Sequence, residues 1–256
     1  MAKFNLIIFT LLDIVILCSF TFSHEQTNYL DGNKPYPIKY YYDVLDEMYG
    51  DGCSYYKLGG DSVAVEQSFS LQQGGWEHTI LIPAKIKYKN KIYRVVSFAD
   101  KAFESARIET VFLPETWNII SSGAFQSCYY LKHVYIPNSI KSIGNCAFER
   151  SGLDSITIPE GVKIIGTRSF RECKLEYVEL PRSIEKINDF AFSYNYNLKC
   201  VKVHFTEPIE ISKNVFFFTT PVNNIKLIVP VGCKEKFRNA YPWSIFTSIE
   251  EDADMK

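Results

Sequence analysis

The middle of the chain repeats itself with a period of about 22 residues. Five phenylalanines, each preceded by alanine or serine, recur at intervals of 22 or 23 residues: Phe103, Phe125, Phe148, Phe170 and Phe192. Five further apolar columns keep the same register before and after them. A sixth, irregular unit runs from Ile209 through Phe216 to Pro230. Because a unit this short cannot bury its own apolar face, the copies are predicted to stack into a solenoid with a continuous core.

Each repeat has two parts with different patterns. The Leu-x-x-Val-x-Ile part alternates and is rich in β-branched residues, which predicts a short strand, and stacked copies predict a parallel sheet with rungs ~4.8 Å apart. Proline follows the first four of these strands, and His204 stands in its place after the fifth. The Gly-x-x-Ala-Phe part predicts a tight turn or a single helical turn on the opposite side.

The full pattern Ile-x-x-Ile-Gly-x-x-Ala-Phe-x-x-Cys-x-x-Leu-x-x-Val-x-Ile-Pro resembles the BspA-type leucine-rich repeat of bacterial surface proteins. Residues 140–148 and 162–170 fit it closely, and residues 80–93 and 227–246 resemble the units that open and close such arrays. The resemblance covers roughly residues 50–251. It implies a mostly β leucine-rich-repeat solenoid, horseshoe-like in its α/β architecture and capped at both ends. It also implies protein–protein recognition or adhesion to host surface or matrix proteins.

The N-terminal residues predict export. An apolar run over residues 4–22 follows Lys3 and ends at Ser23, which is the plan of a signal peptide over residues 1–23. An uncleaved anchor helix and lipidation at Cys18 are the alternatives, since the run is about long enough to cross a bilayer. All three place the rest of the chain outside the cytoplasm, in the periplasm, at the cell surface or in the extracellular medium.

The remaining sequence divides around the repeats. We assign residues 24–50 to a Tyr-rich arm, 51–92 to N-terminal capping strands, 93–230 to the leucine-rich repeats and 231–256 to a C-terminal cap. Lys plus Arg number 28 and Asp plus Glu number 29, a net charge of −1. This balance argues against a nucleic-acid partner. Membrane contact is expected only through the N-terminal segment, and the oligomeric state stays open.

Cysteine and histidine spacing argues against an enzyme. Cys128 and Cys173 occupy one repeat column two rungs apart, ~9.6 Å, beyond the ~7 Å that a disulfide spans, so both are predicted to be buried free thiols. Cys200 points outward, but His133 lies three rungs away, ~14 Å, too far to activate it. The chain has no zinc-ligand spacing, nucleophile elbow or phosphate loop. We therefore expect no catalytic residues, no cofactor and no metal.

The outward side of the predicted sheet is the candidate binding face. Residues between the core columns point away from the core, and they include three aromatic side chains that could anchor a partner. The predicted binding residues are Phe112, Tyr135, Tyr177, His133, Thr157, Glu179 and Lys202. Alternatively, the aromatic residues only pair across rungs and stabilise the sheet by roughly 0.2–1 kcal/mol each.

Two other surface features complete the sequence-based interpretation. A charged column that follows the Leu positions is interpreted as a solvated, self-paired face; its members are Glu109, Lys132, Asp154, Glu176 and Lys199. The run Phe216-Phe217-Phe218 supports a second function, a structural or assembly component of the bacterial cell envelope.

Overall fold

A computed structural model of the protein describes residues 38–40, 53–68, 77–88, 91–219 and 224–255. The predictions for the export segment at 1–23 lie outside these residues, as do those for the Tyr-rich arm except at 38–40. No helix among the described residues is long and apolar enough to cross a bilayer.

The described chain is built almost wholly of short strands and turns. Its strands are β1 (Ile38–Tyr40), β2 (Cys53–Gly59), β3 (Ser62–Ser68), β4 (Glu77–Leu81), β5 (Lys85–Tyr88), β6 (Lys91–Phe98), β7 (Ile108–Phe112), β8 (Ile119–Ile120), β9 (His133–Tyr135), β10 (Ser142–Ile143), β11 (Ser155–Thr157), β12 (Ile164–Ile165), β13 (Tyr177–Leu180), β14 (Lys186–Ile187), β15 (Cys200–Val203), β16 (Lys226–Pro230) and β17 (Ser248–Asp252). One helix, α1 (Lys234–Arg238), and a 3₁₀ turn at Trp243–Ile245 follow β16.

The N-terminal part forms a separate five-stranded sheet in the order β1-β2-β3-β6-β5. Antiparallel pairs join β1 to β2, β2 to β3 and β5 to β6, and a parallel pair joins β3 to β6. Its buried side chains, among them Tyr55, Val63 and Val65, continue the core of the repeats. Strand β4 lies outside this sheet and pairs in parallel with β7, so it forms the first rung of the repeat array.

The repeats stack as a solenoid, which confirms the predicted fold class. Their longer strands build the repeat sheet, defined here as β4, β7, β9, β11, β13, β15, β16 and β17. Every strand pair within this sheet is parallel. On the opposite side a second parallel ladder runs β8-β10-β12-β14. This ladder was not predicted from the sequence, because two-residue strands are too short to show an alternating pattern.

Six phenylalanine rings form a continuous stack through the core. Successive centroids from Phe103 to Phe192 lie 5.6, 5.3, 5.2 and 5.4 Å apart, and Phe216 of the irregular sixth unit lies 5.7 Å from Phe192. Each ring is at most 3% exposed. Stacked aromatic pairs contribute ≈ 0.5–1.5 kcal/mol beyond their buried area, so the ladder holds successive repeats at a fixed spacing.

The turn around each of the first five core phenylalanines contains two left-handed residues. They lie two positions before and two positions after the ring, with φ between 54° and 63°; they are Lys101, Gly123, Cys146, Arg168 and Phe190 before it, and Ser105, Ser127, Arg150, Glu172 and Tyr194 after it. Non-glycine residues adopt this conformation infrequently. Hydrogen bonds to the next turn hold it here, as where Ser127 N donates to Glu149 O at 2.7 Å.

The repeat sheet is interrupted once, between the second and third repeats. Strands β4-β7-β9 form one part and β11-β13-β15-β16-β17 the other, and among the described residues no strand pairing joins β9 to β11. The expected unbroken sheet is therefore wrong at this step. From phenylalanine to leucine the turn spans six residues in the second repeat (Phe125 to Leu131) and five in the third (Phe148 to Leu153). Within the five regular repeats, only here does a shorter turn follow a longer one.

A C-terminal cap covers the last turn of the solenoid. Helix α1 buries Phe237, and the 3₁₀ turn buries Trp243, whose indole Nε1 donates to Ile209 O at 2.7 Å. Strand β17 adds in parallel to β16 and extends the repeat sheet. The cap thus shields the apolar end of the array from water, as terminal units of solenoids must.

Candidate binding face

The two outward columns predicted from the sequence lie in register on the repeat sheet. One row aligns Thr110 with His133 on the first part of the sheet, and Ser155 with Tyr177 and Cys200 on the second. The other aligns Phe112 with Tyr135, and then Thr157 with Glu179 and Lys202. The interruption between β9 and β11 divides both rows, so the seven predicted binding residues fall into two groups.

The aromatic lip, defined as Phe112 and Tyr135, lies on the first part of the sheet. The two rings are parallel within 1°, with centroids 4.2 Å apart. Tyr135 is 47% exposed and Phe112 is half-buried. The rings thus stack across rungs and leave part of their aromatic surface exposed, an arrangement that fits either of the two sequence-based interpretations.

A cleft of about 510 Å³ opens beside the aromatic lip, at the interruption of the sheet. Its lining includes three predicted binding residues besides Phe112: His133, Tyr135 and Thr157. Val134 and Ile136, expected in the core columns, are only half-buried and form part of the wall. These two residues are less buried than the other members of their columns, since no described strand pairs with β9 on this side.

Three residues of the second group belong to a polar cluster, defined as Tyr177, Glu179, Lys202, His204 and Asp252. The Tyr177 hydroxyl donates to Glu179 Oε2 at 3.0 Å, and His204 Nε2 lies 2.6 Å from Glu179 Oε1. Burial alone would raise the pKa of Glu179, but the hydrogen bonds from His204 and Tyr177 outweigh it and lower the pKa below its usual 4.5. Burial, followed by the bond to Glu179, raises the pKa of Tyr177. Glu179 is therefore held as a carboxylate at neutral pH.

Lys202 connects the polar cluster to the C-terminal cap. Its ammonium donates to Asp252 Oδ2 at 2.8 Å and lies 4.0 Å from Glu179 Oε1. His204 and Asp252 were not among the predicted binding residues. The sequence does mark His204 as unusual, because it stands where the other repeats have proline. Nothing in the sequence indicates that Asp252 pairs with Lys202, 50 positions earlier.

Four of the five residues in the charged column next to the sheet form ion pairs within the column, as predicted. Lys132 Nζ lies 2.8 Å from Glu109 Oε1, and Lys199 Nζ lies 2.6 Å from Glu176 Oε2. Side-chain exposure in these pairs ranges from 35% to 70%. Such exposed ion pairs contribute little, about 0–1 kcal/mol, and leave no concentrated charge to attract a ligand.

The cysteines with described side chains are free thiols. Cys128 Sγ donates to Phe103 O at 3.0 Å and Cys173 Sγ to Phe148 O at 3.1 Å, so each satisfies a carbonyl of the preceding turn. Cys200 is aligned with Tyr177 and Lys226, so its neighbours across the sheet are not histidines. Among the described residues, no cluster of three or more His, Cys, Asp or Glu side chains could hold a metal ion.

Stacked turns of about 22 residues, a parallel repeat sheet and a continuous phenylalanine ladder define the class as a leucine-rich-repeat solenoid, a repeat-based binding or surface protein. More narrowly, the chain belongs to the family described as the BspA type leucine rich repeat region, which matches it in six copies over residues 84–168 and 118–231. No curated protein sequence shows significant similarity to it.

Solved structures of leucine-rich-repeat proteins are similar to this chain. A T. pallidum leucine-rich repeat protein is 26% identical and aligns with a TM-score of 0.51 over 59% of this chain and 68% of its own. A Bacteroides ovatus leucine-rich repeat protein is 21% identical, with a TM-score of 0.40 over 80% and 76%. The pneumococcal vaccine antigen PcpA is 20% identical, with a TM-score of 0.45 over 59% and 48%.

Proposed function

We propose that this chain is an exported, non-enzymatic binding protein that recognises a protein partner through the outer face of its repeat sheet. The observation that carries the proposal is the aromatic lip: two parallel rings, 4.2 Å apart, beside a cleft of about 510 Å³. Rings that are already ordered by stacking lose little conformational freedom on binding, and aromatic anchors beside pockets dominate many interfaces.

We further propose that the partner is a host extracellular or matrix protein and that binding serves adhesion. Membership of a family of bacterial surface proteins supports this, as does the apolar N-terminal run that predicts export. The near-neutral net charge, from 28 basic and 29 acidic side chains, supports a protein partner over a nucleic acid.

Capture of immobilised extracellular-matrix and mucosal proteins tests the proposal. The full chain is compared with the double variant Phe112→Ala/Tyr135→Ala. Tyr241→Ala is the matched control, because Tyr241 is 70% exposed but lies in the C-terminal cap. The parent and the control should capture a partner and the double variant should lose at least tenfold in affinity, with all three equally folded by circular dichroism. Equal capture by the double variant would contradict the proposal.

An exposed aromatic patch on the turn side supports the second candidate, a structural or assembly role in the envelope. The patch comprises Phe190, Tyr194, Tyr196, Phe217 and Phe218, and Phe217 and Phe218 are 41% and 60% exposed. Of the three consecutive phenylalanines, only Phe216 is buried. Light scattering after size-exclusion chromatography distinguishes the two roles. An assembly role predicts oligomers that dissociate in the Phe217→Ser/Phe218→Ser variant, and a strictly monomeric parent argues against that role.

A further inference from the structure

Two strand edges face each other where the repeat sheet is interrupted. In a parallel strand, the N–H and C=O of one residue point to the same neighbour, and those of the next residue point the other way. Ile158 N donates to Glu179 O at 2.9 Å, so the even-numbered residues of β11 face β13. The N–H and C=O groups of Ser155 and Thr157 therefore face the gap.

The opposite edge, on β9, has its backbone groups oriented in the same alternating way. Leu113 N donates to Tyr135 O at 3.2 Å, so Tyr135 faces β7, and Val134 and Ile136 face β11. We call the gap between these two edges the seam. In the described part of the chain, no backbone hydrogen bond crosses the seam between Val134 or Ile136 and Ser155 or Thr157.

The equivalent bonds are present at the neighbouring rungs. Ile82 N donates to Phe112 O at 3.1 Å between β4 and β7. The bond from Leu113 N to Tyr135 O has the same position between β7 and β9, and the bond from Ile158 N to Glu179 O has it between β11 and β13. At the seam this position would join Ile136 N to Thr157 O. The turn side stays closed at the same step, since β8 and β10 pair and Phe125 stacks on Phe148 at 5.3 Å. The solenoid is thus continuous while one side of one rung is open.

We propose that the β11 edge of the seam binds an extended segment of the partner protein, which adds to the sheet as a strand through the N–H and C=O groups of Ser155 and Thr157. This inference rests on the proposed binding function and names its site and the chemistry of its partner. Unpaired strand edges are templates for a further strand, and strand addition is a recurrent mode of peptide recognition.

The side chains around the seam define which segment fits. The apolar lining of the cleft at the seam includes Val134, Ile136 and Ile156. An apolar side chain of the bound segment would therefore face into the cleft. The ionisable lining residues are Lys132, which is paired with Glu109, together with His133 and Glu115. Because these charges are mixed in sign, the seam selects a main chain with apolar side chains rather than a phosphate or another strongly charged group.

A pair of variants at one position isolates the main-chain contact. Thr157→Pro removes the N–H that faces the seam, and proline is tolerated at strand edges because no ladder bond is lost there. Thr157→Val removes the same hydroxyl, which lies 3.4 Å from Glu179 Oε2, but keeps the N–H. The probe is a phage-displayed library of random heptapeptides selected on the full chain, and the selected peptides are then titrated with each variant.

The expected result is that Thr157→Pro binds the selected peptides about tenfold or more weakly than Thr157→Val, which keeps the N–H. Failure to select peptides, or equal binding by Thr157→Pro, would overturn the inference. Amide hydrogen exchange tests the same contact in the parent, so it does not depend on whether a variant folds. The amides of Ser155 and Thr157 should exchange faster than that of Ile158 and should become protected when a selected peptide binds. Slow exchange in the free protein would also overturn the inference.

The outcomes separate this inference from the proposed function. If a matrix protein is captured and capture is lost in Phe112→Ala/Tyr135→Ala but unchanged in Thr157→Pro, the proposed function stands and strand addition is wrong. If the peptides bind the parent but not Thr157→Pro, and no matrix or mucosal protein is captured, strand addition stands and the proposed class of partner is wrong.

Discussion

The carboxylate of Glu149 bridges the repeats on either side of it: Arg171 Nη1 lies 2.7 Å from its Oε1, and Gln126 Nε2 donates to its Oε2 at 2.8 Å. All three residues directly follow the core phenylalanine of their repeats. The Glu149 side chain is only 7% exposed, and the Arg171 guanidinium also lies 4.6 Å from the ring centroid of Tyr194. A polar ladder thus runs beside the phenylalanine ladder and ties four successive turns together.

Replacing Glu149 by alanine is expected to destabilise the protein by about 2–3 kcal/mol. The substitution removes a charge-assisted hydrogen bond and leaves the partly buried Arg171 with only Glu172, at 3.3 Å, as an acidic partner. Urea unfolding followed by circular dichroism measures the loss. Glu104→Ala is the control, because Glu104 occupies the same column in the first repeat but forms an exposed pair with Lys101. Equal destabilisation by both variants would show that the burial of Glu149 does not increase its contribution to stability.

Gly152→Ala is expected to cost about 1–3 kcal/mol of unfolding free energy. A Cβ at this position would lie 2.3 Å from Tyr129 O, a backbone atom that cannot move aside easily. Gly152 N also donates to Cys128 O at 3.0 Å, so the two turns are fixed in close contact there. Lys174→Ala, at the equivalent exposed position one repeat later, should change stability by less than about 0.5 kcal/mol. Chemical denaturation of both variants provides the comparison, and a neutral Gly152→Ala would contradict the close contact.

Cys128 and Cys173 are expected to resist alkylation until the protein unfolds. Burial raises the pKa of each thiol to about 12, so only about one molecule in ten thousand carries the thiolate at pH 8. Iodoacetamide labelling with mass spectrometry should modify the half-buried Cys146 and Cys200 first, and Cys128 and Cys173 only in denaturant. Rapid labelling of Cys128 in the native protein would contradict the buried position. A cysteine-free control is unnecessary, because each site is resolved by its own peptide.

The periodic part of the fold was predictable from the sequence, because each core column repeats in every copy. Phe103 and Phe192 bury the same ring in the same place, and their spacing alone identifies the solenoid. The second ladder was not predictable, since the pairing of Ser142 and Ile143 with residues 119–120 involves too few residues to create a pattern. Repetition thus reveals the columns, but it does not reveal how the backbone pairs between them.

The candidate site was predictable only in part, because it depends on departures from the repeat. The sequence places Phe112 and Tyr135 in one outward column, but the cleft beside them lies where β9 and β11 do not pair. The unequal turn lengths at Phe125 and Phe148 are visible in the sequence, whereas the pairing of the strands depends on three-dimensional packing. The contact between Lys202 and the cap was equally hidden, since it requires the docking of β17 on β16.

Glu179 is expected to make the protein less stable as the pH falls below about 4.5. The titratable groups that face this carboxylate are Tyr177, Lys202 and His204, with Asp252 on the far side of Lys202, and the Thr157 hydroxyl also faces it at 3.4 Å. Because hydrogen bonding lowers the pKa of Glu179 in the folded state below the usual 4.5, the carboxylate stabilises the fold above the unfolded-state pKa. This contribution is lost as the pH falls through the folded-state pKa.

Glu179→Gln tests this expectation, since glutamine has nearly the same size but does not titrate. At pH 7 the variant should be less stable than the parent by about 1 kcal/mol, and the difference should shrink as the pH falls below 4.5. Thermal unfolding from pH 7 to pH 3 measures it. Glu185→Gln controls for the loss of a negative charge, because Glu185 is 63% exposed and pairs only with Lys163 on the surface. If the stability difference between the parent and Glu179→Gln stays constant over this range, the carboxylate is not stabilised by its hydrogen bonds to Tyr177 and His204.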